Sequence, residues 1–419
     1  MSKWKIYTPE GVQDILFDEC ASKRNIEEKL RSLYRSYGYF EVETPTIEFF
    51  DVFSSDAGLI PQETMFKFFD QQGRILVLRP DITVPVARIT ATKFREAAYP
   101  LRFSYIGNVF RYNDHGGGKQ NEFTQAGVEV LGVSTPEADA EVIAVAINAL
   151  KATGLENFQV DIGQVEFFNG LMEETGLPDE DIERLRLMID RKDYVGVEEL
   201  LNQCEIRADL KKLIFDLPAL FGSTDVIDRV EAFKLNRRSL DALENIREVL
   251  NILEDYGLGK YVSVDLGMLR GLDYDTGIIF RGFTYGVGFP VLTGGRYDRL
   301  VGEFGQQCPA TGFSLGLSMI MTALQRQKLE SGKPCTDSIV CYSRDGRKTA
   351  FELCEELRRQ GLLIELDLSC SDPDTVKAYA ASKGIGGVLY VTGGGVIEVH
   401  DVNTGEVQKT SISELTKGC

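Results

Sequence analysis

Histidine is scarce in this chain. Only His115 and His400 occur among its 419 residues, too few for a three-histidine metal site, and they give a Ser-His-Asp triad little to draw on. Eight cysteines lie scattered at positions 20, 204, 308, 335, 341, 354, 370 and 419, with no Cys-x-x-Cys pair. They read as free thiols in a reducing cytosol, not as a zinc site or a disulfide frame. Long apolar runs are also missing. No stretch approaches the roughly 20 residues needed to span a bilayer, and the opening MSKWKIYTPEG has no apolar core of signal-peptide length. A cytoplasmic location is expected, with no membrane partner. Positive charge is in deficit: 46 Lys and Arg against 64 Asp and Glu, a net of -18. Such a surface repels phosphate backbones, so nucleic-acid binding, tRNA included, is disfavoured.

What is present is ordinary globular material, 43% hydrophobic and 26% charged, long enough for two or three domains. Ile26, Leu30, Leu33, Tyr34 and Tyr37 fall at helical spacing, and Gly38 supplies a stop. Tyr39 to Glu43 alternates as a strand, closed by Thr44-Pro45. Met65 to Phe69 and Ile75 to Leu78, joined by Asp70-Gln71-Gln72-Gly73, form a hairpin pattern. Leu101 to Tyr112 and Asn121 to Leu131 read as strands around a loop from Asn113 to Gln120. Its Gly116-Gly117-Gly118 lacks the spacing of a phosphate loop and suits a turn. Thr135 is placed as an N-cap with Pro136 at the first helical position, opening an alanine-rich helix to Leu150. Residues from about 165 to 255 are helix-rich, with Leu243, Ile246, Leu250 and Leu253 in one stripe, as in an inserted helical subdomain. Strand signals return at Tyr261 to Leu266, Gly277 to Phe280 and Gly286 to Leu292. A glycine-rich helix is expected from Gly312 to Gln325.

Lys333-Pro334 suggests a linker. Beyond it strand, helix, strand, helix and strand signals alternate at Ser338 to Tyr342, Lys348 to Gln360, Leu362 to Leu366, Asp374 to Ser382 and Gly387 to Val391. That alternation predicts a small, mostly parallel sheet. Gly393-Gly394-Gly395 reads as a hairpin turn, and His400 as a surface residue on an edge strand.

Polar residues recur where strand alternation gathers side chains on one sheet face. In the segment from Glu122 to Glu129, Phe123, Gln125, Gly127 and Glu129 point the same way. Gly127 between Gln125 and Glu129 leaves room for a ligand. Leu78 to Thr83, Phe110-Arg111-Tyr112, and Leu269 to Gly277 supply further polar groups. Carboxylates such as Asp81 and Glu129 can accept from an ammonium or an imidazole N–H, and an arginine can hold a carboxylate through paired hydrogen bonds. A zwitterion fits such a set. Internal salt bridges on a solvated sheet fit it as well.

Seven ordered segments give the chain a specific resemblance. Thr8-Pro9-Glu10-Gly11-Val12-Gln13-Asp14 is similar to the TPxGxxD opening of histidyl-tRNA synthetases. Gly38 to Glu48 resembles the class II motif 1, with Pro45 as its dimer-interface proline. Arg79-Pro80-Asp81-Ile82-Thr83 resembles the family's RPEGT. Phe110-Arg111-Tyr112 to Gln125 resembles motif 2, and Arg270-Gly271-Leu272-Asp273-Tyr274 resembles RGLDYYTG. Gly294-Gly295-Arg296-Tyr297-Asp298 and Pro309 to Leu317 resemble the approach to motif 3. The resemblance implies an α+β fold: an antiparallel class II synthetase sheet with flanking helices over 1–330, a helical insertion at about 165–255, and a small α/β domain at 335–419 similar to a shortened anticodon-binding domain. It also implies a histidine site of Asp81, Thr83, Arg111, Gln125, Glu129, Arg270 and Tyr274. Asp275 stands where the family has a second tyrosine, and a carboxylate there favours an N–H or an imidazolium.

The departures fall on the ATP side. The family's motif 2 loop reads close to RxREFHQ. Here it is Lys119-Gln120-Asn121-Glu122-Phe123-Thr124-Gln125, so Lys119 and Asn121 replace both arginines. Motif 3 ends GLERL in the family, but here Met319 holds the arginine position. Removing one preorganised charge typically costs about 10²- to 10³-fold in rate, so aminoacylation is expected to be lost. No catalytic residue, metal or cofactor is assigned. This pattern resembles the regulatory subunits of ATP phosphoribosyltransferase, in the first step of histidine biosynthesis. The resemblance implies a homodimer through motif 1. It also implies a hetero-octamer with the short-form catalytic subunit, activation of that partner, and feedback inhibition by histidine. A divergent active histidyl-tRNA synthetase and an orphan synthetase-like tRNA sensor are the alternatives.

Overall fold

The computed structural model describes residues 3–54, 60–112, 120–269, 275–329, 336–369 and 372–415. They fall into two compact units, Met1–Glu330 and Ser331–Cys419.

The first unit opens with helix α1 (Phe17–Ser36), whose buried Ile26, Leu30 and Tyr34 recur at helical spacing. It stops before Gly38, whose φ of +80° suits glycine. Short strands β1 (Phe40–Glu41), β2 (Ile47–Phe49), β3 (Lys67–Phe69) and β4 (Ile75–Leu78) follow, with β2, β4 and β3 forming a small antiparallel sheet. Helix α2 (Thr83–Lys93) leads into the long hairpin strands β5 (Leu101–Phe110) and β6 (Glu122–Leu131). Helix α3 (Pro136–Thr153) begins after an extended Thr135 with Pro136 in its first turn, and Gly154 ends it at φ 99°. It is buried along nearly its whole length because it packs against α1, the sheet and the later helix Arg237–Asp255. Strand β7 (Phe158–Gln164) then opens the helical insertion: α4 (Val165–Thr175), α5 (Asp179–Asp190), α6 (Tyr194–Asn202), α7 (Ala208–Asp216), the two-residue β8 (Phe221–Gly222), α8 (Asp225–Glu231) and α9 (Arg237–Asp255). Strands β9 (Val262–Asp265), β10 (Ile278–Thr284), β11 (Leu292–Arg296) and β12 (Ala310–Gly316) and helix α10 (Leu317–Gln327) complete the unit.

Among the described residues the main sheet has nine strands in the order β1-β5-β6-β12-β11-β10-β7-β9-β8. The β1–β5 and β7–β9 pairs are parallel and the others antiparallel. Ala126, Val128, Val130, Ile162, Phe280, Phe313 and Leu315 face the helical side and join one apolar cluster with α1, α3 and α9. The opposite face carries the polar residues. One row across it runs Glu129, Gly312, Gly295, Ile279, Gly163, and a second runs Gly127, Ser314, Thr293, Arg281, Asp161. Alternation makes these faces inevitable once the register is set.

Two sequence expectations shift here. The strand placed at Gly286 to Leu292 lies instead at Leu292–Arg296. Pro290 has no N–H to give a ladder, and the paired stretch contains two glycines that propensity disfavours but pairing on both sides holds. The helix expected from Gly312 begins only at Leu317. Gly312 to Gly316 is strand β12, bonded to β6 and β11.

The second unit contains β13 (Ser338–Tyr342), α11 (Arg347–Arg359), β14 (Ile364–Leu366), α12 (Pro373–Lys383), β15 (Gly387–Val391), β16 (Val396–Asp401), β17 (Val407–Ser411) and α13 (Ile412–Leu415). Its sheet order is β14-β13-β15-β16-β17. The first two pairings are parallel and the last two antiparallel, so the sheet is mixed and not mostly parallel. The turn at Gly394 and Gly395, both at positive φ, reverses the chain from β15 into β16. His400 is consequently not on an edge. It sits on a strand paired on both sides and is only 7% exposed, and burial pushes its pKa down.

Candidate ligand-binding site

Six of the expected residues, Asp81, Thr83, Arg111, Gln125, Glu129 and Asp275, line one cavity of about 460 Å³ on the polar face of the main sheet. Arg270 and Tyr274 lie outside the described residues.

Glu129 is the centre of the site. Its position on β6 points it away from the helical core, and it is 1% exposed. Oε1 accepts from Thr83 Oγ1 at 2.8 Å and Tyr105 Oη at 3.0 Å, and Oε2 accepts from Tyr297 Oη at 2.6 Å. Burial lifts its pKa to about 8, against the downward pull of those three hydroxyls. The same burial holds the Tyr105 hydroxyl well above its ordinary value, so it remains a donor. Asp81, also 1% exposed, accepts the Val84 amide at 3.0 Å and so caps the start of α2, which sets Thr83 beside Glu129. Arg111 donates from Nε to the Pro80 carbonyl at 2.7 Å. Gln125 donates from Nε2 to Ser314 Oγ at 2.9 Å, and its buried Oε1 has no hydrogen-bond partner.

The floor is backbone. Gly312 and Gly295 pair in register on β12 and β11 and both line the cavity. A Cβ at Gly312 would stand 1.7 Å from Glu129 Oε2, so only glycine leaves that carboxylate its place. Gly127 serves otherwise than its sequence position suggests. A Cβ there would lie 2.6 Å from Tyr105 Oη, so the space it leaves belongs to the tyrosine that braces Glu129.

Residues that sequence reasoning did not place in the site are Tyr105, Tyr297, Ser314 and Arg281. Tyr297 sits within the Gly294 to Asp298 segment already singled out, and that proximity was its only signal. Arg281, on β10, lines the cavity and pairs with Asp190 of α5 at 3.5 Å. Arg296, next to Tyr297, forms a two-pronged buried ion pair with Asp139 of α3 at 2.9 and 3.1 Å, which anchors β11 to the helical layer.

Asn121, which is not among the lining residues, donates from Nδ2 to the Glu10 carbonyl at 3.0 Å, and its amide bonds the Gly11 carbonyl at 2.7 Å. It ties down the N-terminal segment. Met319 lines the cavity from α10 and packs against the apolar cluster. Lys119 lies outside the described residues. Among the described lining residues the cations are Arg111 and Arg281. No group of three or more His, Cys, Asp or Glu among the described residues is placed to hold a metal ion. Nor is any described helix long and apolar enough to cross a membrane. Chemically, the site offers buried acceptors to N–H donors on a bare floor.

Known proteins resemble the chain over most or all of its length. The histidyl-tRNA synthetase family profile matches residues 11–320. The chain is 65% identical over 417 residues to an ATP phosphoribosyltransferase regulatory subunit of Acetivibrio thermocellus, covering all of both chains. It is 58% identical to the protein of that name in Ruminiclostridium cellulolyticum, covering 99% of each. A solved structure from Bacillus halodurans, described as an ATP phosphoribosyltransferase regulatory subunit/histidyl-tRNA synthetase, superposes with a TM-score of 0.84 at 32% identity, over 93% of this chain and 99% of the other. A histidyl-tRNA synthetase from Nostoc, at 22% identity and TM-score 0.83, covers 99% of each chain and shares the fold.

Proposed function

The chain belongs to the ATP phosphoribosyltransferase regulatory subunits within the histidyl-tRNA synthetase family, and from that premise we propose that it is a non-catalytic histidine sensor. In this reading the cavity over Gly295 and Gly312 binds histidine. Glu129, with Asp81 and Gln125, takes the N–H groups. Arg111 takes the carboxylate, with Arg270 and Tyr274 completing the shell. Occupancy is passed to a short-form ATP phosphoribosyltransferase catalytic subunit, which the chain activates and through which histidine exerts feedback inhibition. The assembly is a hetero-octamer built on homodimers joined through motif 1 around Pro45, in the cytoplasm, without tRNA. The unit from Ser331 onward is a shortened relative of an anticodon-binding domain.

The observation that carries this reading is the contrast between the two sides of one cavity. The acceptor side is fully braced, with three hydroxyls on Glu129. Toward α10 the cavity is lined by Met319, which supplies no charge, and Asn121, outside the lining, is occupied with the Glu10 carbonyl. A thioether cannot replace a guanidinium on a phosphate.

Mixing the purified chain with a short-form catalytic subunit is the direct test. Phosphoribosyl transfer should rise on mixing and fall when histidine is added. Histidine-dependent ATP–pyrophosphate exchange by the chain alone would overturn the reading in favour of a working synthetase. Titration calorimetry addresses the sensor half. Histidine should bind the wild type and bind Glu129→Ala at least about tenfold more weakly, the loss expected when a hydrogen bond to a charged group is removed.

A further inference from the structure

Two carboxylates stand beside the glycine floor. A Cβ on Gly312 would lie 1.7 Å from Glu129 Oε2, and a Cβ on Gly295 would lie 3.2 Å from Asp275 Oδ1. The two glycines are a directly opposed antiparallel pair. Opposed positions carry Cβ atoms about 4.5–5.5 Å apart, which sets the two carboxylates within roughly 10 Å of each other. Both acids line the same cavity.

We infer that Glu129 and Asp275 form a clamp for the two N–H groups of a protonated imidazole ring, so that histidine is held as its imidazolium. The inference rests on the histidine reading above and specifies the form of the ligand. A neutral imidazole has one donor and one acceptor nitrogen, whereas an imidazolium has two donors. Two carboxylates offer acceptors on both sides, so a neutral ring would turn one lone pair toward a carboxylate. With the ring protonated, each nitrogen makes a charge-assisted bond of about 2.7–2.9 Å.

Among the described residues, the other charged and titratable groups around the floor fit this arrangement. Asp81 adds a third carboxylate to the cavity. The Tyr105 and Tyr297 hydroxyls hydrogen-bond Glu129. Arg111 bonds the Pro80 carbonyl, Arg281 is paired with Asp190, and the guanidinium of Arg296 is turned to Asp139. The proton balance is simple. In the empty cavity Glu129 is protonated below about 8, and a free histidine ring is neutral above about 6.5. Between those values the ring takes the proton that Glu129 gives up, with no net exchange with solvent. Above that window a proton must be taken up, and below it one is released. Affinity is therefore greatest inside the window and falls on both sides.

The test is calorimetry near pH 7 with L-histidine and with 1,2,4-triazolyl-3-alanine, whose ring has a similar shape but stays neutral. Wild type should prefer histidine by about ten- to a hundredfold, the worth of a charge-assisted hydrogen bond. Asp275→Asn should shrink that preference to within about threefold, and Asp275→Ser should do the same. The preference is a ratio between two ligands on one protein, so a partly unfolded preparation does not alter it. If Asp275→Asn keeps the wild-type preference, or if wild type binds both ligands alike, the clamp is overturned while histidine sensing stands. If wild type binds no histidine, the proposed function fails and the clamp with it.

Discussion

Replacing Glu129 by glutamine should make the empty protein's stability less dependent on pH. The wild-type acid titrates at about 8 in the folded chain, against an ordinary 4.5, because burial disfavours its charge more than three hydroxyls favour it. The folded state then binds one more proton than the unfolded state between those two values. Its contribution is full below 4.5 and is lost as pH rises through 8. The slope is at most about 1.4 kcal/mol per pH unit, and the whole loss is on the order of 4–5 kcal/mol. Glutamine has nearly the same shape and no charge. Its carbonyl oxygen can still accept from Thr83 and Tyr105, and the Tyr297 hydroxyl can turn to accept from its amide. The measurement is urea unfolding of wild type and Glu129→Gln at intervals from pH 5 to 8.5, without histidine. The variant should be comparable to or less stable than wild type at the acid end and should gain on it steadily toward the alkaline end. Parallel curves for the two proteins across the range would refute the reasoning, because they would show that Glu129 does not change its proton affinity on folding.

Three other outcomes follow from the packing. Gly312→Ala forces a methyl group against Glu129 Oε2 and the Val128 carbonyl. It should destabilise the protein by about 2–5 kcal/mol, from overpacking and a broken hydrogen bond, and abolish histidine binding in calorimetry. Asp139→Ala removes the two-pronged partner of the buried Arg296 guanidinium, held at 2.9 and 3.1 Å, and leaves it Asp298 and the Val133 carbonyl, each at 3.0 Å. A loss of up to about 3–5 kcal/mol in chemical denaturation is expected, and a loss below about 1 kcal/mol would show that Asp298 alone compensates the arginine. Asn121→Ala removes the bond to the Glu10 carbonyl, worth about 0.5–1.5 kcal/mol. Hydrogen exchange of the Asn121 and Glu122 amides, both facing the Gly11 carbonyl, should quicken by up to about tenfold, with global stability nearly unchanged.

Much of the first unit is legible from local pattern. The Ile26, Leu30, Tyr34 stripe and the Thr135-Pro136 start mark α1 and α3, because helix periodicity and helix starts are local properties. The strand alternation of β6 correctly sends Gln125 and Glu129 to one face. Where the reading failed, pairing was responsible. Gly312 to Gly316 looks like the opening of a helix until β6 and β11 bond it on both sides. His400 looks like an edge residue until β17, whose Val407 to Ser411 run carries little apolar signal, covers it.

The sequence by itself determined which polar and charged side chains are available, and that Asn121 and Met319 stand where the resemblance leads one to expect arginines, since those are matters of residue identity at recognisable segments. Only the tertiary structure decided what the residues do for one another. Tyr297 reaches Glu129 across 168 positions of chain, and Tyr105, not a ligand, fills the space above Gly127. The glycine floor exists because the register of β11 and β12 happens to oppose Gly295 to Gly312. Strand register is set by the whole buried face of the sheet, so no short stretch of sequence contains it. The elevated pKa of Glu129 likewise comes from exclusion of water by many elements at once.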